Sequence, residues 1–225
     1  MSGILAIVFA CVPASGAGAA TNTSWSGYLH GPQHTSFNPH ATTITPANAG
    51  NLVRVLHWQA PAALTGEPPA GLFASPTVRG GVVYIGSNTG HFYALDEVTG
   101  NVLWDRSLGS TGHYTCQDRG ITSTATVAAD PSRGGQLTVY VGAGDGYLYA
   151  LKASDGTTVW SAPVNVHAPD KNDHYNWSSP TVENGRVYIG ISSQCDHPLT
   201  RGGVTSVDQA SGTSPATWYA ASAMA

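Results

Sequence analysis

At 225 residues with a net charge of −4, the chain suffices for one or two ordinary domains and carries no basic footprint, which excludes a nucleic-acid partner. Charged residues make up only 10% of it, while glycine reaches 27 residues, the balance of a turn-rich all-β protein whose faces are mostly packed. No stretch carries a convincing helical period, and no apolar run is long enough to span a bilayer.

The first element in chain order is Ile4 to Val12, a short apolar core followed by the small residues Ala17-Gly18-Ala19. Residues 1–20 therefore read as an export signal, with the mature chain starting near Thr21 and the protein secreted or held in the cell envelope. The usual positive leader is missing, since no Lys or Arg precedes Arg54. A lipoprotein reading through Cys11 fails, because Phe9-Ala10 precede it and Pro13-Ala14 follow. Residues 21–60 form an N-terminal segment holding Trp25-Ser26-Gly27-Tyr28-Leu29-His30-Gly31, a run from Ile44 through Asn48 to Leu52, and Trp58. Asn22-Thr23-Ser24 and Asn176-Trp177-Ser178 match the glycosylation sequon, a pattern that means nothing if the source is bacterial.

From residue 61 onward the sequence repeats. Ala94-Leu95-Asp96-Glu97-Val98-Thr99-Gly100-Asn101-Val102-Leu103-Trp104 returns as Ala150-Leu151-Lys152-Ala153-Ser154-Asp155-Gly156-Thr157-Thr158-Val159-Trp160. A third copy, Ser206-Val207-Asp208-Gln209-Ala210-Ser211-Gly212, places Gly100, Gly156 and Gly212 at intervals of 56. A fixed period of this size marks an array of equal supersecondary units. Each unit reads as four short strands separated by Gly- and Asn-containing hairpin turns, such as Gly80-Gly81 and Asn88-Thr89-Gly90. The predicted fold is thus a β-propeller of four-stranded antiparallel blades, with blades at about 72–106, 121–162 and 177–220. Only about three blades can be counted, and a ring usually needs four or more. The chain therefore reads as part of a larger ring of seven or eight blades, or else as a three-blade unit completed by self-association. In the third unit the aromatic slips to Trp218, two places late, which leaves that blade's last strand doubtful.

The motif Ala-x-Asp-x-x-Thr-Gly-x-x-x-Trp resembles the tryptophan-docking motif of the pyrroloquinoline-quinone (PQQ) repeat family. Its physics is legible without the family. The Asp accepts backbone N–H bonds in the turn, Gly100 and Gly156 take the left-handed position, and Trp104 and Trp160 wedge between blades. The segment from Trp25 to Trp58 resembles the opening of quinoprotein alcohol dehydrogenases, where such a strand joins the last blade and latches the ring. A latch role alone suffices to explain it.

Of three cysteines, Cys116 and Cys195 remain once Cys11 leaves with the signal. They fall in connections that emerge on the same face of an up-down blade, so a disulfide between neighbouring blades is allowed; two free thiols or a metal role are the alternatives. Three loops on that face are unusually polar: His113–Gly120, Asp170–Ser178 and Ser192–Gly202. Long polar loops on a rigid scaffold are the default functional candidates.

The resemblance to quinoprotein dehydrogenases extends to these loops. It implies that Arg119, followed by Gly120, is a cofactor-contacting arginine, that Ser178 or Ser179 contacts the quinone, and that Asp196, before Arg201-Gly202, is a calcium ligand. The family's vicinal cysteine pair is replaced by the single Cys116, and its Glu by Asp196 in a loop one residue longer. The bland readings are a loop-capping Arg119 paired with Asp118, and a solvated Asp196. His113, His174 and His197 would make a metal cluster but lie on three separate loops.

Two functions follow from the resemblance. One is a secreted alcohol or polyol oxidoreductase using PQQ and calcium on a small or polymeric alcohol, with the general base outside this sequence. The other is a propeller without cofactor that serves as a scaffold for a protein partner.

Overall fold

A computed structural model of the chain describes residues 24–41, 43–54, 56–113, 116–164, 174–196 and 199–221, with the strand residues 111–113 and 116–118 described by their backbone alone. The predicted export signal lies outside these residues.

Three four-stranded antiparallel sheets follow one another along the chain. The first blade contains β1 (Thr77–Arg79), β2 (Val82–Gly86), β3 (His91–Asp96) and β4 (Val102–Ser107), hydrogen-bonded in that order. A two-stranded hairpin, β5 (Thr111–His113) with β6 (Cys116–Arg119), leads into and fills most of the first polar loop, where the residues carry no strand signal. The second blade is β7 (Thr126–Asp130), β8 (Gln136–Gly142), β9 (Tyr147–Lys152) and β10 (Thr158–Pro163). The third is β11 (Thr181–Glu183), β12 (Arg186–Ile191), β13 (Gly203–Asp208) and β14 (Ala216–Tyr219). The architecture is a partial β-propeller, as the 56-residue period predicts.

The hairpin before each fourth strand is fixed locally. Asp96 Oδ1 accepts from the Val98 and Thr99 amides and from the Thr99 hydroxyl, and these bonds hold its carboxyl below the usual range. Asp208 does the same with Ala210 and Ser211. The second copy has Lys152 at this position, and there Asp155 accepts from the amide and hydroxyl of Thr157 instead. In the first two blades a β-bulge then skips one residue, so that Trp104 faces Ala94 and Trp160 faces Ala150.

The two indoles join the blades. Trp104 Nε1 donates to Ala153 O of the second blade at 3.0 Å, and Trp160 Nε1 donates to Gln209 O of the third at 3.0 Å. Each ring lies on the next motif glycine. A Cβ on Gly156 would sit 2.7 Å from Trp104 Cε3, and one on Gly212 would sit 2.5 Å from Trp160 Cε3. These glycines also hold φ of +70° and +69°, so they are required twice over, for the turn and for the ring above it. The buried core is correspondingly divided between blades, with Tyr84, Phe92, Trp104 and Val139 at one joint and Tyr140, Leu148, Trp160 and Val187 at the next.

The third blade differs. Ser206 faces Ala216, so alanine stands where the docking indole stands elsewhere, and Trp218 lies two residues on, 64% exposed. The doubted last strand forms as β14 but offers no buried wedge. At the opposite end, Leu56 takes the place of an indole over Gly100, and Trp58 packs edge-on against Tyr93 with ring centroids 5.0 Å apart. Residues 52–54 and 56–60 belong to no strand; of these, Trp58 and Ala60 pack on Ile85, Tyr93 and Leu95 of the first blade.

Candidate functional site

The innermost strands β1, β7 and β11 begin at Thr77, Thr126 and Thr181, and each of these is preceded two residues earlier by another hydroxyl, Ser75, Thr124 and Ser179. Alternation along a strand sends both members of a pair the same way. The pairs interlock. Thr124 Oγ1 accepts from the Ser75 amide at 3.0 Å and Ser179 Oγ from the Thr124 amide at 3.1 Å. Thr77 Oγ1 donates to Ala125 O at 2.7 Å and Thr126 Oγ1 to Pro180 O at 2.5 Å. This relay fixes the pitch between blades at the axis.

Above the relay opens a cavity of about 390 Å³. Ser75, Thr122, Thr124, Ser178 and Ser179 supply hydroxyls to its wall, and Phe73, Tyr28, His34 and Trp177 supply rings. Ser178 Oγ accepts from the Gly190 amide at 2.6 Å. Both serine oxygens serve the blades as acceptors, and each hydroxyl keeps a rotatable proton that can donate to a ligand.

Trp177 is held on three sides. Its Nε1 donates to Ser193 O at 2.7 Å, Tyr175 packs 4.6 Å away centroid to centroid, and the Arg119 guanidinium lies 5.2 Å over its ring. Tyr175 is fully buried and donates to Gly120 O, which ties the 174–179 segment to the end of β6; burial pushes its phenol up. Asn176 is also buried, and its Nδ2 donates to Ala143 O and Tyr147 O at 3.0 Å each. The second sequon is therefore a clip between blades, with no side-chain amide presented to solvent. Asn22 of the first lies outside the described residues.

The structure thus brings Arg119, Ser178 and Ser179 to one place, through an aromatic group, Trp177, that the sequence alone shows only as part of a sequon. The signal for it is the run Tyr175-Asn176-Trp177-Ser178, two aromatics alternating with polar residues just before an inner strand. Asp196 is exposed at φ +61° and is not among the lining residues of the cavity. Cys195 is disulfide-bonded, while the side chain of Cys116 lies outside the described residues. His197 and the His113 side chain do too. Among the described residues no three His, Cys, Asp or Glu side chains are grouped to hold a metal ion, and none of the described lining residues is a carboxylate.

A family model described as outer membrane protein assembly factor BamB, built on the PQQ repeat, matches residues 54–223. The chain belongs to the PQQ-repeat family. Within that family, the quinohemoprotein alcohol dehydrogenase of Comamonas testosteroni is 31% identical over 159 residues, which is 68% of this chain and 20% of that protein. The crystal structure of quinohemoprotein alcohol dehydrogenase from Comamonas testosteroni superimposes with a TM-score of 0.66 at 27% identity, over 90% of this chain and 28% of the other. The outer membrane protein assembly factor BamB of Yersinia pestis is 28% identical over 116 residues, or 52% of this chain and 23% of that protein. The chain spans about a fifth of the length of the curated dehydrogenases it matches. No helix among the described residues is long and apolar enough to cross a membrane.

The lining chemistry fits a quinone cofactor of the kind these PQQ-repeat relatives are named for. Hydroxyl donors suit carbonyl and carboxylate oxygens, an indole suits a flat ring system, and the neighbouring guanidinium suits negative charge.

Proposed function

We propose that this PQQ-repeat propeller forms one sector of a secreted or periplasmic quinoprotein dehydrogenase that oxidises an alcohol or polyol. The observation that carries the reading is the convergence of Ser178, Ser179 and the Arg119-braced Trp177 on one axial cavity. Trp177 would present its ring to the cofactor plane, while Ser178 and Ser179 donate to its oxygens. Arg119 fixes positive charge beside them without leaving the indole. PQQ, when bound, supplies a two-electron acceptor, and an accompanying calcium ion supplies a Lewis acid. With no carboxylate on the described wall, the base that takes the hydroxyl proton is assigned to no residue here, and Asp196 is a calcium ligand only if its loop turns inward. We further infer that Cys195 pairs with Cys116, which would pin the end of the β5–β6 hairpin, and with it Arg119, to the third blade.

Titration of the protein with PQQ and Ca²⁺ tests the proposal, with tryptophan fluorescence as the readout. Saturable quenching is expected, weakened about tenfold by Arg119→Ala and lost as a stacking signal in Trp177→Leu. A folded protein whose fluorescence PQQ leaves unchanged would remove the cofactor reading. The likeness to the assembly factor supports a second reading, a propeller that binds a protein partner through its loop face, and that outcome would favour it.

A further inference from the structure

One wall of the axial cavity comes from outside the blades. Trp25 pairs with Val78 through two backbone bonds of 2.8 and 2.9 Å, and the Val127 amide donates to Ser26 O at 2.8 Å. The chain is thereby fastened across the inner strands of the first two blades. Gly27 follows, so close to β7 that a Cβ would lie 3.0 Å from Thr126 Oγ1. Beyond that point the fastening ends. Among the described residues, no hydrogen bond joins residues 28–36 to a blade. Their bonds are local: His30 N to Gly27 O, His34 N to Gly31 O, Ser36 N to Leu29 O and Thr35 Oγ1 to Phe37 O, with Ser26 Oγ donating forward to His30 O at 3.3 Å. The edge-on pair of Tyr28 with His34 keeps the loop folded on itself, and that of Trp25 with His30 rests its start on the fastened segment.

The loop is also strained. Leu29, His30, His34 and Ser36 all hold positive φ, from 49° to 87°, without being glycine. Such conformations persist only when the surroundings enforce them, and they collect at clamps and switch segments. The loop lies against the second and third blades, leaving a recess of only about 10 Å³ between Gly27, Tyr28 and His34 on one side and Thr126, Pro180 and Thr181 on the other. Yet Tyr28 and His34 share the main cavity with Ser178 and Ser179.

We propose that residues 28–36 are a hinged wall of the cavity, turning at Gly27, and that Tyr28 and His34 are ligand-contacting residues that close over a flat, anionic ligand. The ligand's identity rests on the cofactor reading above; the hinge does not. The fixed side of the cavity offers hydroxyls and the indole of Trp177. The hinged side offers a phenol ring and an imidazole, so a planar ligand would lie between two aromatic surfaces. Opening releases the backbone strain at the cost of the Ser26–His30 bond and the Trp25–His30 ring contact, and among the described residues it breaks no bond to the blades.

Two measurements on the full chain decide the matter. In hydrogen exchange of the free protein, the His30, His34 and Ser36 amides are expected to exchange together, at least a hundredfold faster than the Trp25, Val78 and Val127 amides. Exchange as slow as at Val78 would overturn the hinge, whether or not PQQ binds. In stopped-flow quenching by PQQ, Tyr28→Ala/His34→Ala is expected to bind about fivefold faster and release about fiftyfold faster, weakening affinity about tenfold. A merely structural defect would slow association, and unchanged rates in both directions would overturn the ligand-contacting role. If neither form binds PQQ while the loop amides exchange fast, the cofactor reading falls and the hinge stands.

Discussion

Gly156 shows how two demands can meet on a single residue. Its φ of +70° alone would cost an L-residue about 1–2 kcal/mol. The Trp104 ring lies directly above it, so an added methyl must also displace a wedged indole, at about 1–3 kcal/mol more. Gly185 has nearly the same φ, +73°, with nothing within 4 Å of where an added methyl would sit. Gly156→Ala is therefore expected to destabilise the protein by about 3 kcal/mol and Gly185→Ala by about 1 kcal/mol, read as the difference between their urea midpoints. Equal losses would mean that the left-handed turn is the whole requirement and the ring contributes nothing. Only the turn requirement was legible in the sequence. The collision depends on a residue 52 positions earlier, and nothing local to Gly156 announces it.

The fourth strand is where the blades acquire direction. Its bulge rotates the indole out of the sheet, and the indole then donates to a carbonyl in the next blade's turn. Trp160→Phe keeps most of the ring but leaves Gln209 O without that donor, so a loss of about 1–2 kcal/mol is expected in chemical denaturation. Gln209→Ala should change little at this bond, because the acceptor is backbone. A Phe variant as stable as the parent would reduce the joint to ring packing alone. Strand order and turn placement were readable because both are short-range, written by Gly, Asn and the alternation of apolar residues. The β5–β6 hairpin was not, since His113 through Arg119 lacks both alternation and a turn dipeptide. The site was half legible. Arg119, Ser178 and Ser179 came from motif likeness, whereas the platform of Trp177 and the wall formed by Tyr28 and His34 exist only once distant segments are brought together.

For the whole molecule, the two flanks are unequal. The first blade's outer flank is covered by Leu56, Trp58 and Ala60, while the third exposes the cross-strand pair Trp218 and Val204 on the wall of a cavity of about 270 Å³. A face of this kind draws partners. The protein is expected to self-associate with rising concentration in sedimentation experiments, and Val204→Arg should return it to monomer without lowering its melting temperature. A monomer at every concentration would show that the third blade's flank is satisfied by its own side chains.

The indole-on-glycine joint has a consequence for how such proteins change length. Each blade carries the protruding half of the fastening on its last strand and the receiving half on its preceding turn, so the two halves always travel together. A duplicated or deleted unit arrives or leaves with a matched pair, and its neighbours meet the same surfaces as before. Ring size can then drift by whole blades with no compensating change at the point of insertion. A blade that loses its protruding half, as the third has with Ala216, becomes a place where that interchangeability stops.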